Sequence, residues 1–543
     1  MDYSKHVSTK VTPQMQPTLG KDEVKNSAGG FVFAVDAWTH LDRFLILGSE
    51  GGTYYASEQK LTIENAKNVE KLVKQDGVRV VNRVVEISDA GRAPKNDPAL
   101  FVLAMAAKLG NDETRKAALK ALPKVARIGT HLFHFAQYVD AFGGWGRGLR
   151  TAIANWYNQK PIDKLVMQAI KYQSRDGWSH RDLLRLSHAK APSDEYNQLY
   201  KWIVDGELKE DMADSLRIVQ AVEDIKHLSD PKDVVNYVVD FRLPREVVPT
   251  QFLNSPEVWE ALLENMGIEA ITRNLGKMTS VGLIKPLSKA SKVIAERLNN
   301  AELLQAVRLH PMKILVGMKT YAQGHGVLGG NYWTPDAKVV DALDSAFYKA
   351  FKYVEPTDKR FMLALDVSGS MSSAPIAGMP GVTARIASGA MALVTAATEE
   401  NSMFAAFTSD PRSSGYGGRW GGGESGLTPV NVSPRQRLDD VLKTLASLRM
   451  GGTDCSLPML YALKNKIEVD TFCVYTDNET WAGRIKPFQA LKMYRDKMGI
   501  PAKLVVIAMS ATPFTIADPD DAGMLDVVGF DTATPSIISD FSK

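Results

Sequence analysis

The spacing of apolar and polar residues changes twice along the 543-residue chain and predicts three regions. Residues 1–30 are polar and end in Gly29-Gly30, which is typical of a poorly ordered arm. From Leu61 to Lys352, apolar residues recur at helical spacing in segments separated by short breaks. From Arg360 onward, short apolar runs alternate with amphipathic stretches, which predicts strands alternating with helices.

The middle region carries the signals of many helix ends. Asp97-Pro98 and Ser255-Pro256 each place a capping side chain before a proline suited to the first helical turn. Helix after helix with short links predicts an α-solenoid of HEAT type. No strict period recurs, so the repeats are degenerate, and a compact irregular helical domain remains the alternative.

Two short apolar runs precede the helices and predict strands. Phe31–Val35 and Phe44–Leu47 are separated by turn-forming residues. The predicted organisation is therefore an arm at 1–30, a helical domain at 31–358 and an α/β domain at 359–543.

In the last region, the alternation of strands and helices predicts a parallel sheet covered by helices. Strands are expected at 361–365, 403–407, 469–475 and 504–508, and helices at 383–399, 434–448, 456–465 and 486–498. The glycine-rich segment 413–426 is interpreted as a surface loop.

A motif of one carboxylate and two hydroxyls, Asp366, Ser368 and Ser370, directly follows the first of these strands. In open α/β sheets, ligands bind at the carboxyl ends of strands. Thr453, in a Gly-Gly-Thr-Asp loop before a helix, and Asp477, at another strand end, add a hydroxyl and a carboxylate. Such oxygen ligands suit a hard divalent cation, foremost Mg²⁺. The first motif alone also fits a capped turn, but the three pieces together favour a metal site.

Composition narrows the class of protein. Apolar residues make up 45% and charged residues 23%, as in soluble globular proteins. The chain has no apolar run of about 18 residues and no signal-peptide core at its start, so no membrane association is expected. Two cysteines, Cys455 and Cys473, fit a reducing compartment. We expect a cytoplasmic protein, also nuclear in a eukaryote.

A net charge of +3 conceals a basic window between Lys120 and Lys190. This window holds 12 Lys or Arg against 4 Asp, or +8, so the rest of the chain is net negative. Clustered positive charge follows phosphates, and interleaved aromatic rings can stack on unpaired bases. Most of these rings are interpreted as helix core. Lys171 and Arg175 are predicted to lie at i and i+4 on one helix and to form a patch beside His188.

The chain also resembles the Ro ribonucleoprotein family of TROVE-domain proteins over nearly its full length. The residues that carry the resemblance are 26–32, 44–48, 51–56, 451–458 (GGTDCSLP), 475–480 (YTDNET) and 515–521 (TIADPDD).

The resemblance implies a ring of HEAT-like repeats closed by a von Willebrand A-like domain, in which Asp366, Ser368, Ser370, Thr453 and Asp477 are metal ligands. It implies binding of Y RNA on an outer basic surface and of the 3′ ends of misfolded small noncoding RNAs in the central hole. Lys171, Arg175 and His188 match positions used for Y RNA, and Lys120, Lys124, Arg127 and His131 lie in the same region. The expected protein is a monomer that does not bind DNA and that meets an exoribonuclease through its RNA.

Two other function classes remain open from the sequence. A protein-interaction scaffold would use the metal site to capture an acidic partner. A metal-dependent hydrolase has the weakest support, because no general base or nucleophile motif accompanies the ligands. The sequence therefore predicts an RNA-binding protein that is not an enzyme.

Overall fold

The computed structural model describes residues 11–543 except 51, 54–55, 210, 308, 327–329, 352–353, 374, 377–378, 410–425, 434–435 and 449–450. The chain forms two compact units. Unit 1 joins residues 1–68 to residues 351–543, and unit 2 comprises residues 69–350. Within the described ranges, no helix has the length and apolar character needed to span a bilayer.

The N-terminal residues belong to unit 1. Its first strands are β1 (Glu23–Lys25) and β2 (Phe31–Ala34), and they pair in antiparallel fashion. The second predicted strand is wrong, because Phe44–Leu47 is the last turn of helix α1 (Ala37–Leu47), which Asp36 caps. A short apolar run cannot distinguish a buried helix end from a strand.

The predicted domain boundaries differ from the compact units at the start of the chain. Residues 11–30 are not a loose arm, because Gln14 and Asn26 are buried against the C-terminal α/β fold. Helix α1 packs there too, through the buried guanidinium of Arg43, which donates to the carbonyls of Thr512 and Phe514 at 2.6 and 2.8 Å.

Unit 2 is helical, as predicted. Helix α2 (Glu58–Ala90) crosses from unit 1 into unit 2 and kinks at Asp76. The helices that follow are α3 (Asp97–Leu109), α4 (Asp112–Val125), α5 (Gly129–Ala141), α6 (Arg147–Asn158), α7 (Ile162–Lys171), α8 (His180–Ser187), α9 (Asp194–Asp205), α10 (Arg217–Asp224), α11 (Pro231–Phe241), α12 (Pro256–Asn265), α13 (Ile268–Ser280), α14 (Lys289–Asn299), α15 (Ala301–Ala306), α16 (Pro311–Ala322) and α17 (Ala337–Lys349). The predicted start at Ser255-Pro256 is confirmed, because Ser255 accepts a hydrogen bond from Val258 N–H. A helix also starts at Asp97, but Asp97 is its first residue and not its cap, since the N-cap is Asn96 and makes no side-chain capping bond.

Early and late parts of unit 2 are in direct contact. Met312 N–H donates to His310 Nδ1, so the other ring nitrogen, Nε2, carries the proton. It donates to the carbonyl of Arg92 at 3.1 Å. The predicted ring, which requires both units, stays a prediction.

A β-hairpin interrupts the helices of unit 2. Strands β3 (Ser174–Arg175) and β4 (Trp178–Ser179) flank a two-residue turn, Asp176-Gly177. Both turn residues have positive φ, 54° and 79°, as the tight turns that match the twist of a hairpin require.

The C-terminal part of unit 1 is an α/β fold. Its elements are β5 (Phe361–Asp366), α18 (Ala384–Thr398), β6 (Ser402–Phe407), β7 (Leu427–Val430), α19 (Leu438–Ala446), α20 (Leu457–Lys464), β8 (Thr471–Thr476), α21 (Pro487–Met498), β9 (Lys503–Ala508), β10 (Phe514–Thr515), β11 (Met524–Val528) and α22 (Thr534–Ser542). All four predicted strands and all four predicted helices are confirmed, whereas β7, β10, β11 and α22 were missed. Of the predicted loop 413–426, all but Gly426 lies outside the described residues.

Within the described residues, six strands form the main sheet in the order β11-β9-β8-β5-β6-β7, parallel except for β7 at one edge. Strands β5 and β8 are buried at every position, as expected for parallel strands covered on both faces. The second sheet pairs β10 with β2 and so joins the N-terminal strands to this fold.

Candidate metal centre and nucleic-acid interface

The five predicted metal ligands are presented by one edge of the main sheet in unit 1. Strand β5 ends at Asp366 and its parallel neighbour β8 ends at Thr476, directly before Asp477. The register pairs Leu365 with Tyr475, so Asp366 is level with Thr476 and Asp477 follows one residue further along the neighbouring strand. A hydrogen bond from Gly369 N–H to the carbonyl of Gly451 brings the Thr453 loop to the same edge.

Hydrogen bonds fix the first part of the site. Ser368 N–H donates to Asp366 Oδ1 at 2.9 Å, and the Thr476 hydroxyl donates to Asp366 Oδ2 at 2.8 Å. The Ser368 and Ser370 hydroxyl oxygens lie 3.1 Å apart. Asp366, Ser368 and Ser370 are thus linked by hydrogen bonds.

All five side chains are buried, between 0% and 7% exposed. Burial, then the charge of Asp477, raises the pKa of Asp366 to about 7. Burial also raises the pKa of Asp477, while the bond from Ser370 lowers it. Two buried carboxylates that repel each other are an environment in which a cation is strongly favoured.

Thr453 provides an independent test of the fit to a metal. Its hydroxyl is fully buried and has no hydrogen-bond partner in the part of the chain that the structure describes. A buried hydroxyl without a partner is costly, and a metal ion or its bound water would satisfy it. The described residues contain no group of three or more His, Cys, Asp or Glu that could hold a metal. Such a site therefore depends on hydroxyl ligands, which Mg²⁺ accepts.

The N-terminal segment, missed as part of this site, supports the ligand loops. The Gln14 side-chain amide donates to Asp454 Oδ1 at 2.8 Å and to the carbonyl of Ile485 at 2.9 Å. Asp454 directly follows the ligand Thr453. A Cβ atom on Gly30 would lie 2.0 Å from the carbonyl oxygen of Thr480, so only glycine allows this approach. The polar composition of residues 11–30 gave no signal of this role.

The basic residues lie in unit 2, and the predicted patch is wrong in its geometry. Helix α7 ends at Lys171, and Arg175 lies on strand β3 of the hairpin, so the two are not on one helix. The Asp176-Gly177 turn follows Arg175 and connects the two strands of the hairpin. Arg175 is exposed and lies 3.6 Å from Asp176, whereas Lys171 makes no ion pair with the described carboxylates and lies over the Tyr172 ring.

His188 is exposed and follows α8, with a φ of 50°. Helix α8 starts next to the hairpin and has eight residues, so it spans about 12 Å at 1.5 Å per residue. His188 therefore lies a helix length away from the strand that leads into α8. The three residues belong to three different elements: the end of α7, strand β3 and the residue after α8.

On helix α4, the i, i+4 pattern is present. Lys120 and Lys124 are exposed, and Lys116, missed by the sequence analysis, extends the row by one more turn. None of the three makes an ion pair with a described carboxylate. Arg127 is half-buried and donates to Ser88 Oγ and the Lys124 carbonyl, both at 3.1 Å.

His131 differs in character from the lysines. It is half-buried, and burial followed by the charge of Arg127 lowers its pKa to about 3. Its imidazole is therefore neutral near pH 7 and can contribute a hydrogen bond, not a positive charge. His131 lies on helix α5, and the other histidine of that helix, His134, forms a hydrogen bond with the carboxylate of Asp176.

Aromatic residues of the basic window are mostly core, as the sequence analysis expected. Phe133, Phe135, Trp156 and Tyr157 are fully buried. Trp145 and Trp178 are only partly buried and pack against each other with ring centroids 5.5 Å apart.

Known proteins resemble both halves of the chain. A family model described as the TROVE domain matches residues 24–224 and 242–324, and one described as the Ro60 vWA domain matches residues 360–542. A protein named RNA-binding protein RO60 from Deinococcus radiodurans is 40% identical over 544 residues, 99% of each chain. One of the same name from Caenorhabditis elegans is 36% identical over 610 residues, 98% of this chain and 92% of that protein.

A solved structure gives the same result for the fold. The crystal structure of the Deinococcus radiodurans RO (RSR) protein aligns with a TM-score of 0.70 at 41% sequence identity. The match covers 93% of this chain and 99% of that chain.

Proposed function

This chain belongs to the Ro60 family of TROVE-domain proteins, and from that premise we propose that it binds RNA as the protein component of a ribonucleoprotein. The observation that carries the proposal is the 40% identity, over 99% of both chains, to a relative named as an RNA-binding protein. The surface cations of unit 2 support it, because Lys120, Lys124 and Lys171 are free of carboxylate partners among the described residues.

The finer proposal concerns the kind of RNA. The protein binds Y RNA and the 3′ ends of misfolded small noncoding RNAs, and it takes part in small-RNA quality control. It acts in the cytoplasm as a monomer, meets an exoribonuclease through the shared RNA, and catalyses no reaction itself.

Lys171, Arg175 and His188 form the proposed Y RNA contact, with Lys120, Lys124, Arg127 and His131 beside it. Lys and Arg neutralise phosphates and release counterions, so affinity falls steeply as salt rises. The spread of these residues over α4, α7, the hairpin and the end of α8 favours a backbone read along its length.

We propose further that unit 1 holds a Mg²⁺ ion through Asp366, Ser368, Ser370, Thr453 and Asp477. The buried, unpartnered hydroxyl of Thr453 is the observation among the described residues that best supports a cation there. A bound Mg²⁺ supplies a positive charge with a free coordination position, which suits an acidic group.

A double variant, Lys171→Ala with Arg175→Ala, tests the RNA contact. At about 1 kcal/mol or slightly more for each charge-assisted contact, it should weaken Y RNA binding by about 2–3 kcal/mol. Filter binding with a labelled Y RNA at two salt concentrations measures both the affinity and the salt slope.

The matched control is Lys338→Ala with Arg217→Ala, one lysine and one arginine that are also exposed in unit 2. The control should keep wild-type affinity. Equal affinities for the two folded double variants would reject Lys171 and Arg175 as RNA contacts.

The rival function, a protein-interaction scaffold, has a specific observation in its favour: the metal ligands Ser370 and Asp477 line a surface pocket. Purification from the native cell, with and without nuclease treatment, separates the two functions. We expect enriched small RNA in the untreated sample. A protein partner that survives nuclease treatment and is abolished by Ser368→Ala/Ser370→Ala, with no RNA enriched, would favour the scaffold.

A further inference from the structure

One pocket, lined by described residues of unit 1, connects the proposed metal site with the protein surface. Of the five ligands, Ser370 and Asp477 line it, while Asp366, Ser368 and Thr453 do not. Any group that reaches a cation at this site by this route must pass the pocket walls. The charges on those walls therefore influence which groups are admitted.

One wall of the pocket is formed by residues from the N-terminal part of the chain, more than 300 positions before the first proposed ligand. The pocket is lined by Leu47 at the end of α1, by the segment after α1 and by residues of the α/β fold: Gly48, Ser49, Glu50, Gly52, Thr53, Leu61, Pro375, Ile376, Ala384, Met509, Ser510 and Ala511. Among the described lining residues, Glu50 is the one charged side chain besides the ligand Asp477. The segment after α1 thus brings a carboxylate to the same opening as two of the ligands.

Local hydrogen bonds hold this wall in a defined conformation. Gly52 N–H donates to the carbonyl of Ser49 at 3.1 Å, so the described residues on either side of position 51 are in contact. The Ser49 hydroxyl lies 2.7 Å from that of Thr62 and fixes this segment to helix α2. Gly52 has a φ of 60°, and a Cβ atom there would lie 2.6 Å from the Glu58 nitrogen. Glycine at position 52 is required by this close approach.

We propose that Glu50 is an in-chain carboxylate ligand for the cation of this site, bound directly or through one water molecule. The inference rests on the proposed Mg²⁺ site. It deepens that proposal: the coordination position that would accept an acidic partner is already served by the chain itself. An external carboxylate must then compete with Glu50.

Two physical arguments support this assignment. A hard cation held by two carboxylates and three hydroxyls still has room for a further oxygen ligand, because Mg²⁺ requires six. A carboxylate that is part of the same chain loses less translational and rotational entropy on binding than a free acidic ligand does. A pocket opening that captures acidic partners would be expected to carry no negative charge of its own, because such a charge repels them.

Mn²⁺ is the probe for the test, because it takes the same oxygen ligands and its magnetic resonance spectrum reports changes in coordination. The full-length chain, without RNA, is titrated with Mn²⁺ by calorimetry and followed by electron paramagnetic resonance. Glu50→Gln removes the charge and keeps the shape. Glu400→Gln is the matched control, exposed in the same unit but before the start of β6, at the opposite edge of the sheet.

Glu50→Gln should bind Mn²⁺ about tenfold more weakly than the wild type, the size of effect seen when a supporting group of a metal site is removed. Its spectrum should change, and acetate should bind its loaded site more tightly than that of the wild type. Glu400→Gln should match the wild type in all three measurements.

Unchanged Mn²⁺ affinity and acetate binding in Glu50→Gln, with Mn²⁺ bound by the wild type but not by Ser370→Ala, would overturn the role of Glu50 alone. No Mn²⁺ binding by the wild type would overturn the metal site as well. Circular dichroism of each variant excludes unfolding, and Glu50→Asp, which keeps the charge, should recover part of the affinity.

Discussion

The two candidate sites differ in how deeply they are built into the fold. The proposed metal ligands of unit 1 are all at most 7% exposed and belong to the ends of buried strands and the loops beside them. The proposed RNA contacts of unit 2 are mostly exposed side chains on helix surfaces and a hairpin. In unit 1, one set of residues serves both the fold and the site. In unit 2, most of the proposed contact residues can be changed while the fold remains.

The largest expected effect on stability comes from a buried ion pair next to the proposed metal-ligand loops of unit 1. Lys486 and Glu23 form an ion pair at 3.3 Å with both side chains 1% exposed. Lys486 also donates to the Phe31 carbonyl at 2.7 Å, which fixes β2 next to the ligand loops. Lys486→Ala leaves Glu23 buried and without this partner and should lower the free energy of unfolding by about 3–5 kcal/mol. Urea unfolding followed by circular dichroism measures it.

The control for this variant is Lys443→Ala, which removes an exposed lysine paired with Asp440 at 3.2 Å. Exposed pairs contribute little, so its effect should stay below about 1 kcal/mol. If both variants reduced stability equally, the N-terminal segment would not be a structural part of unit 1.

Binding of Mg²⁺ provides the next largest effect. At a free concentration about one hundred times its Kd, Mg²⁺ should stabilise the folded protein by about 2.7 kcal/mol, because the unfolded chain has no site. Asp366→Asn should abolish this shift, whereas Asp540→Asn, an exposed carboxylate of the same unit, should retain it. Thermal unfolding in Mg²⁺ and in a chelator measures the difference. A shift that survives in Asp366→Asn would place the bound metal elsewhere.

The sequence predicted the positions of the proposed metal ligands better than the arrangement of the proposed RNA contacts, for a physical reason. A buried parallel strand is a continuous apolar run, and its carboxyl end is fixed by the sheet, so Asp366 and Asp477 had to come together. The supporting residue Gln14 was missed because its partner Asp454 is 440 positions away along the chain. Polar residues far apart in sequence carry no periodic signal.

For unit 2, the sequence predicted an excess of positive charge, but it did not predict how the basic residues are arranged. The excess of cations predicted a basic surface, and Lys120 and Lys124, which the resemblance placed in the same region, are exposed. Helical spacing was extended from Lys171 to Arg175, although Asp176-Gly177, a hairpin signal, directly follows Arg175 and places it on a strand. Charge is independent of local conformation, so composition can reveal a basic surface while its geometry stays undetermined.

Unit 2 also has a buried titratable group, so its stability, unlike its exposed surface, is expected to depend on pH. His180 is buried, its Nδ1 lies 2.8 Å from the Tyr157 hydroxyl, and burial lowers its pKa to about 4. Below about pH 6.5 the unfolded chain takes up a proton that folded His180 refuses, so stability falls as pH falls. Between about pH 6.5 and 5 the loss should be about 1.5 kcal/mol, since each pH unit contributes at most about 1.4 kcal/mol.

Urea unfolding at several pH values tests this, with His180→Gln expected to flatten the dependence. His188→Gln, at an exposed position, should leave the slope as in the wild type. An unchanged slope in His180→Gln would mean that other groups cause the acid sensitivity of this unit.

The smallest expected change in stability belongs to the lysine row of α4. Lys120→Gln with Lys124→Gln should alter the free energy of unfolding by no more than about 0.5 kcal/mol, because both side chains are exposed and lack ion pairs among the described residues. Their effect on RNA should be larger. Removing one lysine from a phosphate should lower the salt slope by about one.

Lys338→Gln, an exposed lysine on α17, is the control and should change neither stability nor RNA affinity. Filter binding over a salt series and urea unfolding on the same samples give the two quantities together. A fall in RNA affinity at constant stability would show that the surface of unit 2 separates binding from folding, unlike the ligand loops of unit 1. A parallel fall in both would mean that the α4 row supports the helical fold and that its link to RNA is indirect.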